Sequence, residues 1–481
     1  MAESSNIEGP FLSGESTWIR EHMPALVIAT LGAMVAGVAI YAPLSTILVL
    51  GMMLSVAVAP YVRRRAWSLL CFLVIPAIGL GQLGRFETNS GTLISPSLIV
   101  VAVWAAGFFM TVLSEEDQSL WRLPLVGAFA IYLLSIVLSV INSVSVLHWA
   151  RGLLEASLGY AFFVCPILYL KNREQLNVCL RVLVGLAVIT VLFGVFQYIA
   201  FESLRDLFPL FYSAKEIPFI EHWQEARRMV ANWVHPSDFA SLLNIAAPIA
   251  LYSVLSTRKS RLMRLVTFLI VATGVMLAAT RTPIIAFCFS SALLCFMMRA
   301  RKAALFMITG AAVVLLLGPS LFSHTAERFK FSEEANLTSF DERRLLWLQA
   351  ASFFAQHPVV GIGMRNYMDY PVLSDPTLAT HNVYLETAAE TGAIGLFAFL
   401  YLLYRGFRVD FRGGETRLPG ELQDLRRALL CSSIAIMVEG LTGNDFYVWQ
   451  VWCLFWLIRG LSVAMSAKPE GFRGNSETAT I

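Results

Sequence analysis

The stretch that decides the fold and the candidate site is Thr380-His381-Asn382-Val383-Tyr384-Leu385-Glu386-Thr387-Ala388-Ala389-Glu390-Thr391-Gly392-Ala393-Ile394-Gly395. It ends a long polar segment and begins a long apolar one. His381 and Asn382 stand at the boundary, and Glu386 and Glu390 lie four residues apart, on one face of a helix. A histidine and two carboxylates at the edge of an apolar segment cost free energy unless they have partners or a function. We therefore expect the rest of the chain to supply those partners.

Two glycines, Gly392 and Gly395, lie deeper in the apolar segment and predict close approach of a neighbouring helix. His-Asn, nine further residues and then Gly-x-x-Gly form a spaced pattern. This pattern resembles the signature of the bacterial O-antigen ligase and O-antigen polymerase superfamily. The resemblance covers most of residues 140–460. It implies an all-helical, GT-C-like membrane glycosyltransferase that uses glycans linked to undecaprenyl pyrophosphate in lipopolysaccharide or other polysaccharide biosynthesis.

Composition indicates an integral membrane protein. Hydrophobic residues make up 57% of the 481 residues and charged residues only 14%, whereas a soluble protein carries about 25% charged residues. The net charge of +3 is too small to suggest a nucleic-acid partner. The 7 cysteines form no C-x-x-C pair, so they predict neither a disulfide framework nor a zinc site. The first apolar run begins near Pro24 and is long enough to remain as a span rather than a cleaved signal.

Apolar runs predict an all-α polytopic protein with about fourteen transmembrane helices, given that one span needs about 20 residues. The runs lie near residues 24–41, 43–59, 66–82, 97–113, 124–141, 153–170, 180–200, 238–256, 264–280, 283–298, 303–318, 383–404, 428–443 and 446–464.

The distribution of basic residues predicts the orientation of these spans. Arginine and lysine cluster after the second, sixth, eighth, tenth and twelfth runs. The positive-inside rule places these loops and both termini in the cytoplasm, so the two large loops 201–237 and 319–380 face outward. We divide the chain into N-terminal transmembrane helices (1–140), an O-antigen ligase-like membrane domain (141–465) and a cytoplasmic tail (466–481) that we expect to be disordered. The expected location is the bacterial inner membrane, with the active site facing the periplasm.

The end of the first outward loop carries Arg227 and Arg228, followed by His235-Pro236-Ser237. Pro236 suits the first turn of a helix, and a helix N-terminus preceded by arginines is a candidate anion site. The segment resembles the superfamily, where an arginine precedes Pro-Asn at the start of a span, and Arg228 is the better match. The alternative is that both arginines contact lipid phosphates. The start of this loop, 201–211, has apolar residues at roughly helical spacing and predicts either a surface helix or ordinary loop packing.

A second arginine, Arg281, lies in the short turn 278–283 between two predicted spans. The turn faces outward, where positive charge is not favoured, and family members resemble it in having Ser-Arg or Thr-Arg there. We favour a functional arginine over one that only reaches the lipid surface.

The second outward loop contains a predicted surface helix. Ser339 to Glu342 reads as a capping box, with Ser339 as the N-cap, and Pro358 ends the helix. Gly361-Ile362-Gly363 is a predicted turn. Arg343 and Arg344 either point into the site or lie on the solvent-exposed face of the helix, and both interpretations stay open.

These residues suit one reaction. Arginine binds phosphate through a planar fork that stays protonated, and histidine can take a proton from a hydroxyl. We predict that His381 activates the acceptor hydroxyl, while Arg281 and Arg228 hold the leaving pyrophosphate. Asn382 positions His381 or a sugar, and Glu386 or Glu390 orients His381 or pairs with an arginine. The predicted substrate-binding residues are Arg227, His235, Asn382, Glu386, Glu390, Arg343, Arg344 and Arg365.

We expect neither a metal nor another cofactor, because no Asp-x-Asp motif occurs in the chain. The expected partners are a polyprenyl-pyrophosphate-linked glycan, an acceptor glycan or lipid, the bilayer and other polysaccharide assembly proteins. The predicted activity is a glycan polymerase, slightly favoured over a ligase that transfers to lipid A core. A polysaccharide transporter or flippase is the alternative from another class. It is less favoured because the charges gather at one face and no internal repeat is visible.

Overall fold

The computed structural model describes residues 59, 61–62, 65–81, 86–87, 93–114, 125–208, 212, 216–226, 228–256, 260–300, 333–370, 379–412 and 418–467. The predicted spans near 24–41 and 303–318, almost all of the span near 43–59, and the predicted tail beyond Ala467 lie outside these residues. The chain divides into two compact units, one formed by Met1–Ile78 and Gly84–Glu115, the other by Gly79–Leu83 and Glu116–Ile481.

The first unit is mainly helical in its described part. Helix α1 (Arg65–Gly79) contains a π-helical turn at Leu70–Val74. Two strands of two residues each, β1 (Phe86–Glu87) and β2 (Leu93–Ile94), pair antiparallel before helix α2 (Pro96–Ser114). This pair is a small exception to the all-α prediction.

The second unit contains the remaining described helices, most of which overlap predicted apolar runs. They are α3 (Val126–Leu138), α4 (Val146–Tyr169), α5 (Arg173–Ile199), α6 (Phe201–Leu204), α7 (Ile217–Glu225), α8 (Pro236–Ser256), α9 (Arg261–Leu277), α10 (Arg281–Met297), α11 (Glu333–Gln356), α12 (Val383–Arg412), α13 (Gly420–Glu439) and α14 (Trp449–Ala467). Short 3₁₀ turns lie at Ser139–Asn142, Arg205–Leu207, Tyr367–Asp369 and Asp445–Tyr447.

The helices are those of a membrane protein. In the described chain, α4, α5, α8, α12 and α14 are each long and apolar enough to cross a bilayer, and several shorter apolar helices accompany them. Large apolar side chains such as Ile189, Phe196, Leu262 and Phe289 are exposed on α5, α9 and α10. Exposed apolar surface on this scale fits contact with lipid. The count of fourteen spans and the GT-C-like architecture stay predictions.

Helix α14 forms the centre of the second unit and is buried along nearly its whole length. It packs closely on α4, because a Cβ at Gly460 would lie 2.3 Å from the Phe163 carbonyl oxygen and one at Gly159 would lie 2.2 Å from Trp452 Nε1. Small residues at both positions let the two helices touch. Around this contact, Trp456 meets Phe129 and Phe163 edge-on, which fixes the packing of α3 on the same core.

Helix α12 breaks at Gly392, where φ is 65° and ψ is −166°. The segment 358–363 fills the break. The amides of Ile362 and Gly363 donate to the carbonyls of Ala389 and Glu390, and the Ala393 amide donates to the Pro358 carbonyl at 2.8 Å. The prediction that Gly392 admits a neighbouring helix is therefore wrong, since the close neighbour is loop backbone. Backbone groups freed inside an apolar helix need such partners.

Gly392→Ala is expected to destabilise the protein strongly. The conformation of Gly392 is accessible almost only to glycine and costs an alanine about 1–3 kcal/mol, and its Cβ would lie 2.4 Å from the Val359 backbone. The measurement is thermal unfolding of purified protein in detergent. Gly127→Ala and Gly185→Ala are matched controls, because a Cβ at either position meets nothing within 4 Å. A melting temperature for Gly392→Ala equal to the controls would contradict the tight contact.

One local prediction for the second predicted outward loop needs correction. Helix α11 begins at Glu333, so Ser339 lies inside the helix and is not its N-cap, although the helix ends before Pro358 as predicted. In the first predicted outward loop, a surface helix and ordinary loop packing were both open. The segment forms α6 and the turn Arg205–Leu207, and their apolar side chains pack with α7 into a small core of Phe201, Phe208, Tyr212, Ile220 and Val230, which fits loop packing.

Candidate active site

Three helices of the second unit begin at predicted site residues. Helix α8 starts directly after His235, α10 starts at Arg281, and α12 starts two residues after His381. The first turn of a helix leaves backbone N–H groups without intrahelical partners and carries a partial positive charge. The N-termini of these helices therefore make this end of the second unit suitable for an anion.

The Arg228 side chain ties the end of the first loop to the turn that precedes α10. Its Nε donates to the Ala278 carbonyl at 3.2 Å, and its Nη2 donates to Thr280 Oγ1 at 2.7 Å. Its guanidinium also lies 4.5 Å from the centre of the Trp223 ring, a cation–π contact. The structure thus brings Arg228 next to the turn that carries Arg281. Arg281 itself is exposed at the first position of α10.

The imidazole of His235 is fixed in one tautomer. The Ser237 amide donates to His235 Nδ1 at 3.2 Å, and the Ser237 hydroxyl lies 2.6 Å from the same atom. Because a backbone amide can only donate, Nδ1 is an acceptor and the ring proton is on Nε2. Burial, followed by the charges of Arg228 and His381, lowers the pKa of His235 to about 3. His235 is therefore neutral at physiological pH and presents Nε2–H as a donor.

His381 is also held as a neutral imidazole. Burial lowers its pKa to about 4, and the Arg343 charge contributes to this. The pKa of Arg343 is in turn lowered by burial and by Arg281. His381 therefore lies within electrostatic reach of Arg343, Arg343 lies within reach of Arg281, and His235 lies within reach of His381.

The backbone is strained around these residues. His381 has φ of 53°, and Ala279 and Ala231, near Arg281 and Arg228, have φ of 49° and 51°. Such conformations cost residues other than glycine about 1–3 kcal/mol and concentrate at functional sites. Trp347 of α11 helps to hold the His381 loop, since its indole N–H donates to the Thr380 carbonyl at 3.0 Å.

Asn382 and Glu386 anchor the segment that carries His381. Asn382 caps α12, with its Oδ1 accepting from the Tyr384 and Leu385 amides at 3.0 Å each. Glu386 is buried and accepts from the amide and the hydroxyl of Thr380, at 3.2 and 2.7 Å. Among the described contacts, neither side chain bonds directly to His381. Both act on it through the backbone that they fix.

Residues 266–400 match the family model of O-antigen ligase. This part of the chain is similar to the O-antigen ligase family. The match confirms the resemblance stated from the His-Asn and Gly-x-x-Gly spacing. A comparison with curated proteins finds no match. The matched residues include Arg281, Arg343 and His381, whereas Arg228 and His235 precede them in the chain.

Within the matched residues, Glu390 and Arg365 have structural partners. Glu390 Oε1 accepts from the Tyr367 amide at 3.0 Å, which fixes the loop against α12. Arg365 donates to the Glu155 carboxylate and to the Tyr447 carbonyl. Burial disfavours the charged form of Arg365, but the Glu155 carboxylate outweighs this effect and raises its pKa. The predicted substrate-binding role of Arg365 therefore competes with an ion pair to α4.

The remaining predicted residues separate. Arg343 is half-buried beside His381, whereas Arg344 is exposed, and both interpretations of these two residues stay open. Arg227 lies outside the described residues. In the part of the chain that the structure covers, no group of three or more His, Cys, Asp or Glu side chains is arranged to hold a metal ion.

Sequence reasoning missed several residues that shape this site. Trp223 and Thr280 contact the predicted residue Arg228, while Trp347 and Thr442 bond Thr380 and Thr282, the neighbours of His381 and Arg281. Their partners are 5 to 160 positions away in the chain, as with Trp223 under Arg228 and Thr442 beside Thr282. The only sequence signal was local, since Thr280 precedes Arg281 in the Thr-Arg pair.

Proposed function

We propose that the protein transfers a glycan from a polyprenyl pyrophosphate to an acceptor hydroxyl at the outward face of the bacterial inner membrane. The observation that supports this best is the grouping of a neutral imidazole, His381, with Arg281, Arg343 and Arg228 beside the N-termini of three helices. The match of residues 266–400 to O-antigen ligase points to the same class of activity.

The cationic side of the site suits the pyrophosphate of the donor. Arginine forms paired, charge-assisted hydrogen bonds to phosphate oxygens, and the helix N-termini add donors of fixed direction. Arg281 is exposed and can meet a ligand, whereas Arg228 is anchored to Ala278, Thr280 and Trp223. In this proposal both stabilise the charge that develops on the leaving pyrophosphate. The neutral His235 donates its Nε2–H to a phosphate or sugar oxygen.

The imidazole side of the site suits the acceptor. The acceptor oxygen attacks the anomeric carbon, the bond from that carbon to the pyrophosphate oxygen breaks, and the hydroxyl proton passes to His381. A base must be deprotonated before the reaction, and the lowered pKa of His381 keeps it so above about pH 5. Asn382 and Glu386 hold the loop in register. Glu390, Arg344, Arg365 and Arg227 remain proposed substrate contacts.

We propose that arginines take the role that a divalent cation has in many glycosyltransferases, so that the reaction needs no metal. Three guanidinium groups in one site supply fixed positive charge without coordination chemistry. Polymerisation is slightly favoured over ligation to a core lipid. The first reason is that the chain has about two predicted spans, each of about 20 residues, more than the roughly twelve expected for a ligase of the family. The second reason is the long second outward loop, since both features favour an enlarged outer cavity.

The test is reconstitution of the purified protein in liposomes with lipid-linked repeat units as the only sugar substrate, in excess chelator. Products longer than one repeat support the polymerase. Transfer that begins only when a core lipid is added supports the ligase. Loss of all transfer in chelator that magnesium restores would contradict metal independence, and no transfer to either acceptor under any condition would contradict the proposed function.

A further inference from the structure

The segment Glu439–Asn444, at the end of α13 and before α14, contacts the N-terminal part of α8 and the starts of α10 and α12. These three helices begin at or just after His235, Arg281 and His381. The segment lies C-terminal to the part of the chain that matches O-antigen ligase. Different residues of the segment contact different helices.

The Glu439 carboxylate joins α8 to α10. It accepts from the Ser241 hydroxyl at 2.5 Å and from the Asn244 side-chain amide, and Asn244 Nδ2 also donates to the Pro283 carbonyl at 2.8 Å. Glu439, Ser241 and Asn244 are all buried. A carboxylate removed from water needs such donors, and in return it fixes their positions.

The middle of the segment holds the start of α12. The Gly440 carbonyl accepts from the Val383 amide at 3.0 Å, and the Leu441 carbonyl accepts from Asn382 Nδ2 at 3.0 Å. Asn444 Nδ2 donates to Glu386 Oε2 at 2.7 Å. These bonds fix Asn382 and Val383, which directly follow His381. They also fix the Glu386 carboxylate, which accepts from Thr380, the residue that precedes His381.

The side chain of Thr442 reaches the start of α10. Its hydroxyl oxygen lies 2.5 Å from that of Thr282, the residue next to Arg281. One segment therefore fixes the backbone beside His381 and the backbone beside Arg281 at the same time.

We propose that Glu439–Asn444 is a positioning clamp that sets the distance between the His381 imidazole and the Arg281 guanidinium for transfer. The inference rests on the proposed function. A reacting group displaced by about 1 Å costs roughly 10²-fold in rate. Loosening the clamp therefore lowers kcat, while the KM of the donor changes little, because the arginines still bind the pyrophosphate.

Thr442→Val tests the clamp, because valine keeps the shape of threonine and removes the hydroxyl. We expect kcat to fall about 10-fold with less than a twofold change in the KM of the donor, and Thr442→Ser to restore kcat. Thr282→Val should lower kcat as much, and the double variant no further than either single one, because both remove the same contact. Thr267→Val, on the exposed surface of α9, is the matched control and should keep full kcat.

Hydrogen exchange measures the clamp without any substrate. The Glu439 carboxylate accepts hydrogen bonds from Ser241 and Asn244. In Glu439→Gln an NH₂ group replaces one of the two accepting oxygens, so one of these bonds is lost. The backbone amides of the peptides covering 280–285 and 380–387 should then both exchange faster. The kinetic test requires that the unsubstituted protein transfers glycan and that His381→Ala does not. Under that condition, unchanged exchange of both peptides in Glu439→Gln together with a normal kcat in Thr442→Val overturns the clamp. If the unsubstituted protein transfers nothing, the proposed function fails, and exchange alone decides whether the clamp exists.

Discussion

His381→Ala is expected to lower the transfer rate by about 10²–10⁴-fold, the usual contribution of a general base, while the protein still reaches the membrane. The physical reason is that His381 combines a neutral imidazole, the nearby Arg343 charge and a place just before the N-terminus of α12. The measurement is transfer by the purified protein, with the melting temperature recorded on the same sample.

Two further variants separate chemistry from strain at this position. His381 has φ of 53°, a conformation that alanine tolerates poorly and asparagine tolerates well. His381→Asn should therefore melt like the unsubstituted protein and yet be as inactive as His381→Ala. His357→Ala, in the loop that follows α11, is the control for loss of a histidine and should keep its activity. Full activity in His381→Asn would remove this residue from the mechanism.

The pH dependence follows from the lowered pKa of His381. Protonation of the base stops the reaction, so kcat/KM should stay level as the pH falls and decline only near pH 4, well below the ordinary histidine value near 6.5. The bound pyrophosphate places negative charge beside the imidazole and raises its pKa. The acid limb of kcat, which reports the complex, should therefore lie at a higher pH than that of kcat/KM. Coincident limbs would show that the pyrophosphate does not lie near His381.

Local sequence patterns were sufficient to locate the apolar helices and three helix starts in the described chain. Apolar run length located these helices, and the Pro236, Thr280-Arg281 and His381-Asn382 signals each fall where a helix begins. These features depend on residues close together in the chain. Helix starts and turns are set locally, so a single sequence contains the information for them.

Long-range pairing could not be predicted from the sequence. Arg365 was expected to bind substrate, but it pairs with Glu155, 210 positions earlier. The residues around Ser339 satisfy the capping pattern, yet α11 begins at Glu333, so the local signal does not mark the start of this helix. The sequence correctly predicted that Gly392 lies close to a neighbouring segment, but it predicted a helix where the structure has the loop 358–363. Either neighbour requires a residue without a Cβ, so the glycine alone does not distinguish them.

Arg281→Lys is expected to lower the transfer rate about 10²-fold, the cost of losing one donor aimed at developing charge, without lowering the melting temperature. Lysine keeps the positive charge but offers a point charge in place of a planar fork, so it cannot form the two parallel bonds that arginine makes to phosphate oxygens. The structure predicts that stability is spared, since Arg281 is exposed at the start of α10. Both quantities are measured on the same purified sample.

The comparison with Arg228→Lys distinguishes a ligand-binding arginine from one that also holds the fold. Arg228 donates to Ala278 and Thr280 and stacks on Trp223, and a lysine cannot keep all three contacts. This variant should lose both activity and melting temperature, whereas Arg281→Lys should lose activity alone. Arg181→Lys, on the exposed surface of α5, controls for the exchange itself and should change neither. If Arg281→Lys keeps the full transfer rate, the pyrophosphate is held by other groups, and Arg281 serves only to place positive charge at the membrane surface.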